Sequence, residues 1–498
     1  MKNNKKRIFL TIFITLLIII GLVAGGISYV GTEALLRTTL SGLTLGSLFF
    51  MVAAGLSLIF GLMDVLNFAH GSMFMLGAYM GWQFYTNPTF IFGLLPLAAA
   101  LAAGILLLPL IKPRLIKWEL TDTWQKTLPI LAYVLALIVG LLGILGLDIM
   151  SLAETAMVAI TTTAANDPLM ELSVQEPLAA FWFRPVLLFL SGALIAFAQA
   201  KPGDRTAFAS TENQQRNIIL AAALFISAVL LTIFRMKLPE AVLLMNGNLR
   251  FLLSLLTAGG FGILFGMIVE ILLIRPLYQR AFFIVLMTLG LSFVIQEVVQ
   301  VLWDPLAYQM VRPPLFAQSG KAATVVEWLQ NGNATLDIFG VTFPTYRLFV
   351  IVFGLLMFLG ITIIMTRTRL GMIIRAGVQD PEMVQALGIN VRAVFTFVFA
   401  LGVTMAALGG IGAGPFIPIQ PLMGDQYQMQ GFITVVLGGM GSYIGAFVGA
   451  MILGLARAFG DYFALKLSLS PAIAEASTVI IMVIVLLVRP AGLFGKKE

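Results

Sequence analysis

The chain has 498 residues, 60% of them hydrophobic and 11% charged, with a mean hydropathy of +1.00. A soluble domain carries about 25% charged residues, so this chain lacks the polar surface to face water along its length. Its net charge of +7 does not mark a nucleic-acid binder, because the basic residues sit in short loops between apolar runs. The absence of cysteine and the single histidine, His70, exclude disulfides, thiolate chemistry and a metal centre built on several histidines.

In chain order, Lys2, Lys5, Lys6 and Arg7 precede an apolar stretch at 8–30. It is longer than the apolar region of a secretory signal, and no clear small-x-small site ends it. It is therefore predicted to be an uncleaved first transmembrane helix. Further spans are predicted near 34–62, 67–85, 91–111, 128–147, 181–200, 217–234, 250–274, 282–302, 346–366, 393–413, 428–440, 443–462 and 472–489. That makes about fourteen crossings, some of them short. The predicted fold class is all-α: a polytopic transmembrane helix bundle that includes broken or half helices. Basic loops at 112–117, 201–216, 275–280 and 367–392 fall on one side, which the positive-inside rule makes cytoplasmic, together with both termini. The 148–183 loop has no Lys or Arg and falls outside. Arg235, Lys237 and Arg250 flank a segment counted as outside and run against the rule. The long segment 303–346 reads as a small external cap.

Two interruptions lie within apolar sequence. Residues 61–71, GLMDVLNFAHG, place Asp64, Asn67 and His70 between two apolar segments. Residues 428–440 number only about thirteen, too few to cross at about 1.5 Å per residue, and they run into GGMGS at 438–442. Non-helical backbone at membrane depth survives only where protein buries it or where it lines a polar cavity. Asn67, His70 and Gly71, with Gly438, Gly439, Gly441 and Ser442, are thus candidates for a translocation path. Each has a purely structural alternative. The His70 ring bonds backbone and holds the break, the glycines serve tight helix packing, and 428–440 is a tilted short helix. The two breaks also suggest corresponding halves of a pseudo-repeat. Glu270 lies nearer the inner side, placed to pair with the basic residues below it.

Residues 367–392, RTRLGMIIRAGVQDPEMVQALGINVR, form the richest basic loop. Asp380 suits an N-cap, Pro381 the first helical position, Glu382 the helix dipole and Gly388 the C′ position. This predicts a short capped helix with no core of its own. It needs either the membrane surface or a partner protein, and the small residues Ala386 and Gly388 permit close docking in a partner's groove.

This loop resembles the coupling loop of branched-chain amino acid ABC transporter permeases, in which R-A-x-x-x-D/N-x-x-x-A-x-x-x-G-I recurs. Arg375, Ala376, Asp380, Val384 at the usual Ala position, Gly388 and Ile389 occupy it. Other blocks agree: LTLGS, GLSLIFG and NFAHG within 42–78, Glu270 with Arg275-Pro276-Leu277, VVLGGMGSYIGAFVGAMILG at 435–454, and RPAGLFG at 489–495. The matching blocks lie within 34–85 and 250–495, about three fifths of the chain, and urea and short-amide permeases are near relatives. The resemblance implies a coupling site of Gly371, Arg375, Ala376, Asp380, Pro381, Ala386, Leu387, Gly388 and Ile389. It implies ABC ATPase subunits, a second permease subunit or a second copy, and an extracytoplasmic substrate-binding protein. It implies no catalytic residue, metal or cofactor. The expected organisation is an extra N-terminal helix (1–33), a first part of the core (34–85), an inserted transmembrane region (86–249) and a second part of the core (250–498). The chain has no G-x-x-x-x-G-K-[ST] phosphate loop, so ATP hydrolysis falls to a partner. The alternative is a secondary transporter of small polar solutes driven by an ion gradient. That class usually carries acidic or histidine residues deep in its bundle, and few are present here.

Overall fold

The computed structural model describes residues 31–64, 66–115, 121–149, 153, 181–200, 211–278, 280–379, 381–470 and 472–495. The span expected at 8–30 lies outside them. Each other expected span coincides with helix. The first half contains α1 (Thr32–Met63), α2 (His70–Thr86), α3 (Thr89–Ile105), α4 (Leu108–Leu115), α5 (Asp122–Ile144), α6 (Phe183–Gln199), α7 (Thr211–Phe234), α8 (Lys237–Leu243), α9 (Gly247–Val269) and α10 (Ala281–Trp303). Among the described residues nine helices are long and apolar enough to cross a membrane, and Phe183–Gln199 and Ala472–Val488 are shorter apolar helices. The chain is an all-α, multi-pass membrane protein.

The helices fall into two compact units. One comprises Met1–Gly81, Ser254–Val299 and Pro305–Glu498; the other comprises Trp82–Leu253 with Gln300–Asp304. In the first, α1 is the central post, buried along most of its apolar length. Small residues let backbones approach closely in lipid, where hydrophobic attraction between helices is weak. Gly42 and Gly46, one turn apart on α1, meet Gly454 on a later helix, Tyr443–Lys466. A Cβ on Gly454 would lie 2.3 Å from both the Gly42 carbonyl and the Gly46 nitrogen. In the second unit the same device joins α3 to α6. A Cβ on Gly104 would fall 2.2 Å from the Phe189 carbonyl, and one on Gly192 would fall 2.2 Å from the Leu101 carbonyl.

The segment expected to form a cap is the main departure from helix. β1 (Gln318–Ala322) pairs parallel to β2 (Asn333–Ile338), which pairs antiparallel to β3 (Val341–Pro344). Between β1 and β2 lies α11 (Val325–Asn331), whose N-cap Thr324 accepts from the Glu327 backbone at 3.2 Å. Lys321 bridges the sheet to Asp337 at 2.6 Å, and that hydrogen bond holds the Asp337 carboxyl below its ordinary pKa.

The rest of the first unit is α12 (Thr345–Arg367), α13 (Arg369–Gln379), α14 (Pro381–Ala386), α15 (Val391–Ala413), α16 (Met423–Gly438), α17 (Tyr443–Lys466) and α18 (Ala472–Val488). α16 begins five residues before the expected 428. Its polar first turns, with Asp425 and Gln428, are helical because Gln428 is buried with partners of its own.

Candidate translocation and coupling site

The first break lies between α1 and α2, its described residues being 64 and 66–69. Asp64 ends α1 in the left-handed region (φ 50°), its N–H still donating to the Phe60 carbonyl at 2.9 Å. Several of the described backbone groups beyond it find side-chain partners, as burial favours. The Asn67 side chain, fully buried, accepts from the Ala69 N–H at 3.0 Å. The Phe68 N–H donates to Thr288 Oγ1 at 3.1 Å. Gln428 on α16 completes the set: its Nε2 donates to the Asn67 carbonyl at 3.2 Å, and its Oε1 accepts from the Gly71 N–H. The break is thus clamped by a side-chain amide far away in sequence. Ser72 on α2 meets Ser292 on α10 at 2.7 Å beside it.

Gly71 permits this clamp. A Cβ there would fall 2.1 Å from the Gly424 carbonyl. Gly71→Ala is expected to lower stability by about 1–3 kcal/mol through overpacking against backbone. Chemical denaturation of the purified chain measures it, with Gly290→Ala, which meets nothing within 4 Å, as control. Equal behaviour of the two variants would show that the close approach does not matter. His70 is fully buried, its ring lying against Gly55 of α1. It touches the Val52 backbone, but neither ring nitrogen reaches full hydrogen-bond geometry.

The second break follows α16. Gly439 (φ 100°) and Gly441 (φ 79°) adopt backbone that only glycine takes at low cost. Ser442 then caps α17, accepting from the Gly445 N–H at 3.0 Å. The carbonyls at the end of α16 are occupied: Leu493 N–H donates to Leu437 and Phe494 N–H to Gly438, both at 2.9 Å. Gly438 also packs on α17, since a Cβ there would lie 2.3 Å from the Gly445 carbonyl. The second break packs on the last turn of α1, because a Cβ on Gly61 would lie 2.8 Å from Gly441 Cα.

In the 367–392 loop, α13 and α14 are separate short helices. Asp380 lies outside the described residues, and Pro381 opens α14. The end of α14 is a Schellman turn: Gly388 N–H donates to the Gln385 carbonyl at 2.9 Å and Ile389 N–H to Val384 at 3.3 Å. Gly388 sits at C′ with φ 80° and is exposed. Val384 and Ile374 are buried, whereas Ala376, Ala386 and Leu387 are exposed and Ile389 is half-buried. The Arg375 guanidinium donates to the Met365 carbonyl at the end of α12. Gly371 packs on the same turn; a Cβ there would lie 2.3 Å from the Ile364 carbonyl. Leu370, Met372, Met383 and Leu387 present an exposed apolar surface along the loop.

Next to this loop, α9 runs into a π-helical turn, Glu270–Ile274, and a 3-10 turn, Arg275–Leu277. A π-turn closes five residues apart. It therefore stacks Glu270 on Arg275, which an α-helix would turn to different faces. Arg275 grips the fully buried Glu270 carboxylate through Nε at 3.2 Å and Nη2 at 2.8 Å. Tyr278 and Thr396 (2.7 Å) also donate to Glu270. Thr396 stands on the second turn of α15, so the cluster ties the loop's exit to α9. A pairing of Glu270 with the basic residues below it was expected, and Arg275 is the partner, whereas Thr396, Tyr278, Thr288 and the role of Gln428 have no local sequence pattern. The one available signal was an amide embedded in an apolar helix.

The family described as branched-chain amino acid transport system / permease component matches residues 38–116 and 215–488, more than half of the chain. The match passes over 117–214, which falls within the stretch expected as an insertion. The high-affinity branched-chain amino acid transport system permease protein LivH of Escherichia coli (strain K12) is 34% identical over 161 residues, 32% of this chain and 51% of that protein. LivH of Salmonella typhimurium is 32% identical over 173 residues, 34% of this chain and 54% of that protein. The permease protein BraD of Pseudomonas aeruginosa, of the same named system, is 31% identical over 243 residues, 47% of this chain and 71% of BraD. The chain thus spans about half the length of the LivH proteins it matches. No solved structure matches it. With helices of membrane length, two clamped breaks and a family match along most of both flanks of 117–214, the chain belongs to the family of branched-chain amino acid transport permease components.

Proposed function

We propose that the chain is the membrane-spanning subunit of an ABC importer, moving branched-chain amino acids or related small amino acids and amides across the cytoplasmic membrane. Separate ATPase subunits drive it, a second permease subunit or a second copy completes the pathway, and an extracytoplasmic binding protein delivers substrate. The observation that carries this reading is the loop at 367–392. There α14, closed by its Schellman turn, presents Met383 and Leu387 to the outside. A six-residue helix has too little burial to stand as an end in itself, and an exposed apolar face of that kind suits a partner's groove. The substrate class rests on the names of LivH and BraD. Both termini and this loop lie on the cytoplasmic side in this reading. Asn67, His70, Gly71 and the 438–442 break lie beside the path, holding its wall, and 86–249 is an addition to the transport core.

Reconstitution tests it. The chain is purified with a candidate ABC ATPase and a candidate binding protein and placed in lipid vesicles. Leucine-loaded binding protein is expected to stimulate ATP hydrolysis and ATP-dependent leucine uptake. Uptake that needs an ion gradient and persists without ATP or ATPase would replace this reading with an ion-driven transporter.

A further inference from the structure

A groove of about 600 Å³ opens on the first unit between α9 and α15, beside the exit of the 367–392 loop. Its walls are apolar along most of its length, with Ile263 and Met267 on one side and Phe397, Ala400 and Leu401 on the other. One end is different: Arg275, Asn390, Arg392 and Thr396 gather there. Among the described residues no acidic side chain lines the groove, and the nearby Glu270 is consumed by Arg275, Tyr278 and Thr396. Arg275 uses Nε and Nη2 for those bonds. Arg392 is exposed and has no ion pair among the described residues. The polar end therefore carries net positive charge, with guanidinium and amide donors still to spend.

The dimensions fix what can lie there. From Arg392 to Thr404 the groove follows α15 for twelve positions, about 18 Å at 1.5 Å per residue. One leaflet of a hydrocarbon core about 30 Å thick is about 15 Å deep. The charged end thus falls at headgroup level and the apolar length at acyl-chain depth. Basic pockets between transmembrane helices suit the phosphates of acidic lipids. We infer that this groove binds one anionic phospholipid. Its phosphate lies against Arg392 and Arg275, with the Asn390 amide beside them, and one acyl chain runs along Ile263, Met267 and Leu401 to Thr404. The inference needs the membrane but not the ATPase, so its failure leaves the transport proposal standing.

The test uses the full chain in bilayers of equal phosphatidylglycerol and phosphatidylcholine, followed by gentle extraction and native mass spectrometry. The expected result is retention of one phosphatidylglycerol per chain in preference to phosphatidylcholine. Arg392→Gln is expected to lower that retention about tenfold, the size of one lost charge-assisted contact. Ala393→Trp, at the groove mouth, is expected to abolish it. Arg392→Lys, keeping the charge, should retain most of it, and Arg369→Gln, in the same loop but outside the groove, should change nothing. Equal losses for Arg369→Gln and Arg392→Gln would mean diffuse attraction by a basic loop and overturn the site. Equal retention of phosphatidylcholine would remove the headgroup contact, and displacement by millimolar inorganic phosphate would make it a free-anion site. The chain has no native cysteine, so Ile263→Cys reports cleanly on neighbours. Its crosslinking to a second copy would make this face an interface between subunits instead.

Discussion

Arg275→Ala is expected to destabilise the first unit by about 3–5 kcal/mol, because it strands the Glu270 carboxylate in a fully buried position without its cation. Spread over a chain of this length, at about 2.1 cal/mol/K of unfolding entropy per residue, that corresponds to a fall of roughly 3–5 °C in the melting midpoint. Arg275→Lys keeps a charge but loses the two-pronged grip, and should fall between wild type and alanine. The decisive measurement is the double variant. Glu270→Gln removes the buried charge while keeping a side chain able to bond Tyr278 and Thr396, so adding it to Arg275→Ala should recover part of the loss. If the two substitutions simply add, the pair is not coupled and the π-turn has another purpose.

Gly388→Val is expected to abolish most transport while leaving the chain folded and inserted. The position is open, with nothing within 4 Å of a built Cβ, so no clash contributes. The cost comes from φ 80°, a region that costs a side-chain-bearing residue about 1–2 kcal/mol, with β-branched valine among the worst. A penalty of that size lowers the equilibrium constant for closing the Schellman turn about tenfold. The measurement is leucine uptake beside substrate-stimulated ATP hydrolysis in reconstituted vesicles, with thermal unfolding as the check on folding. Gly388→Asn, which tolerates the left-handed region better, should restore much of the activity. A well-folded Gly388→Val protein working at the wild-type rate would separate the loop from coupling.

The helices were legible because a charge-poor apolar run of membrane length has few other stable fates. Both breaks were legible as well, since clustered glycines or an Asn-His-Gly cluster interrupt a pattern that otherwise continues. Gly388 at C′ followed from local rules alone, the turn being closed by its own neighbours. What stayed hidden are contacts made across the fold. Gln428 looked like a polar boundary and was placed at the start of a span, whereas it lies on the second turn of α16, buried against backbone 357 and 361 residues away in sequence. Thr396 likewise reaches Glu270 across 126 positions, and a threonine on an apolar helix carries no mark of that use. The small sheet at 318–344 escaped for a different reason. Its strands have only four to six residues, and β1, QSGKA, shows no alternation.

The bonds from Leu493 and Phe494 to Leu437 and Gly438 set an order of events in biogenesis. A nascent chain emerges N-terminus first, so α16 reaches the bilayer while α17, α18 and the segment that completes its end are still to be made. Throughout that interval the last carbonyls of α16 lack the donors that residues 493 and 494 supply in the finished fold. The GGMGS turn is therefore finished late, after two further helices have returned residues 493 and 494 to it. A ribosome stalled short of residue 493 leaves its defect at the end of α16, two helices upstream of the stall.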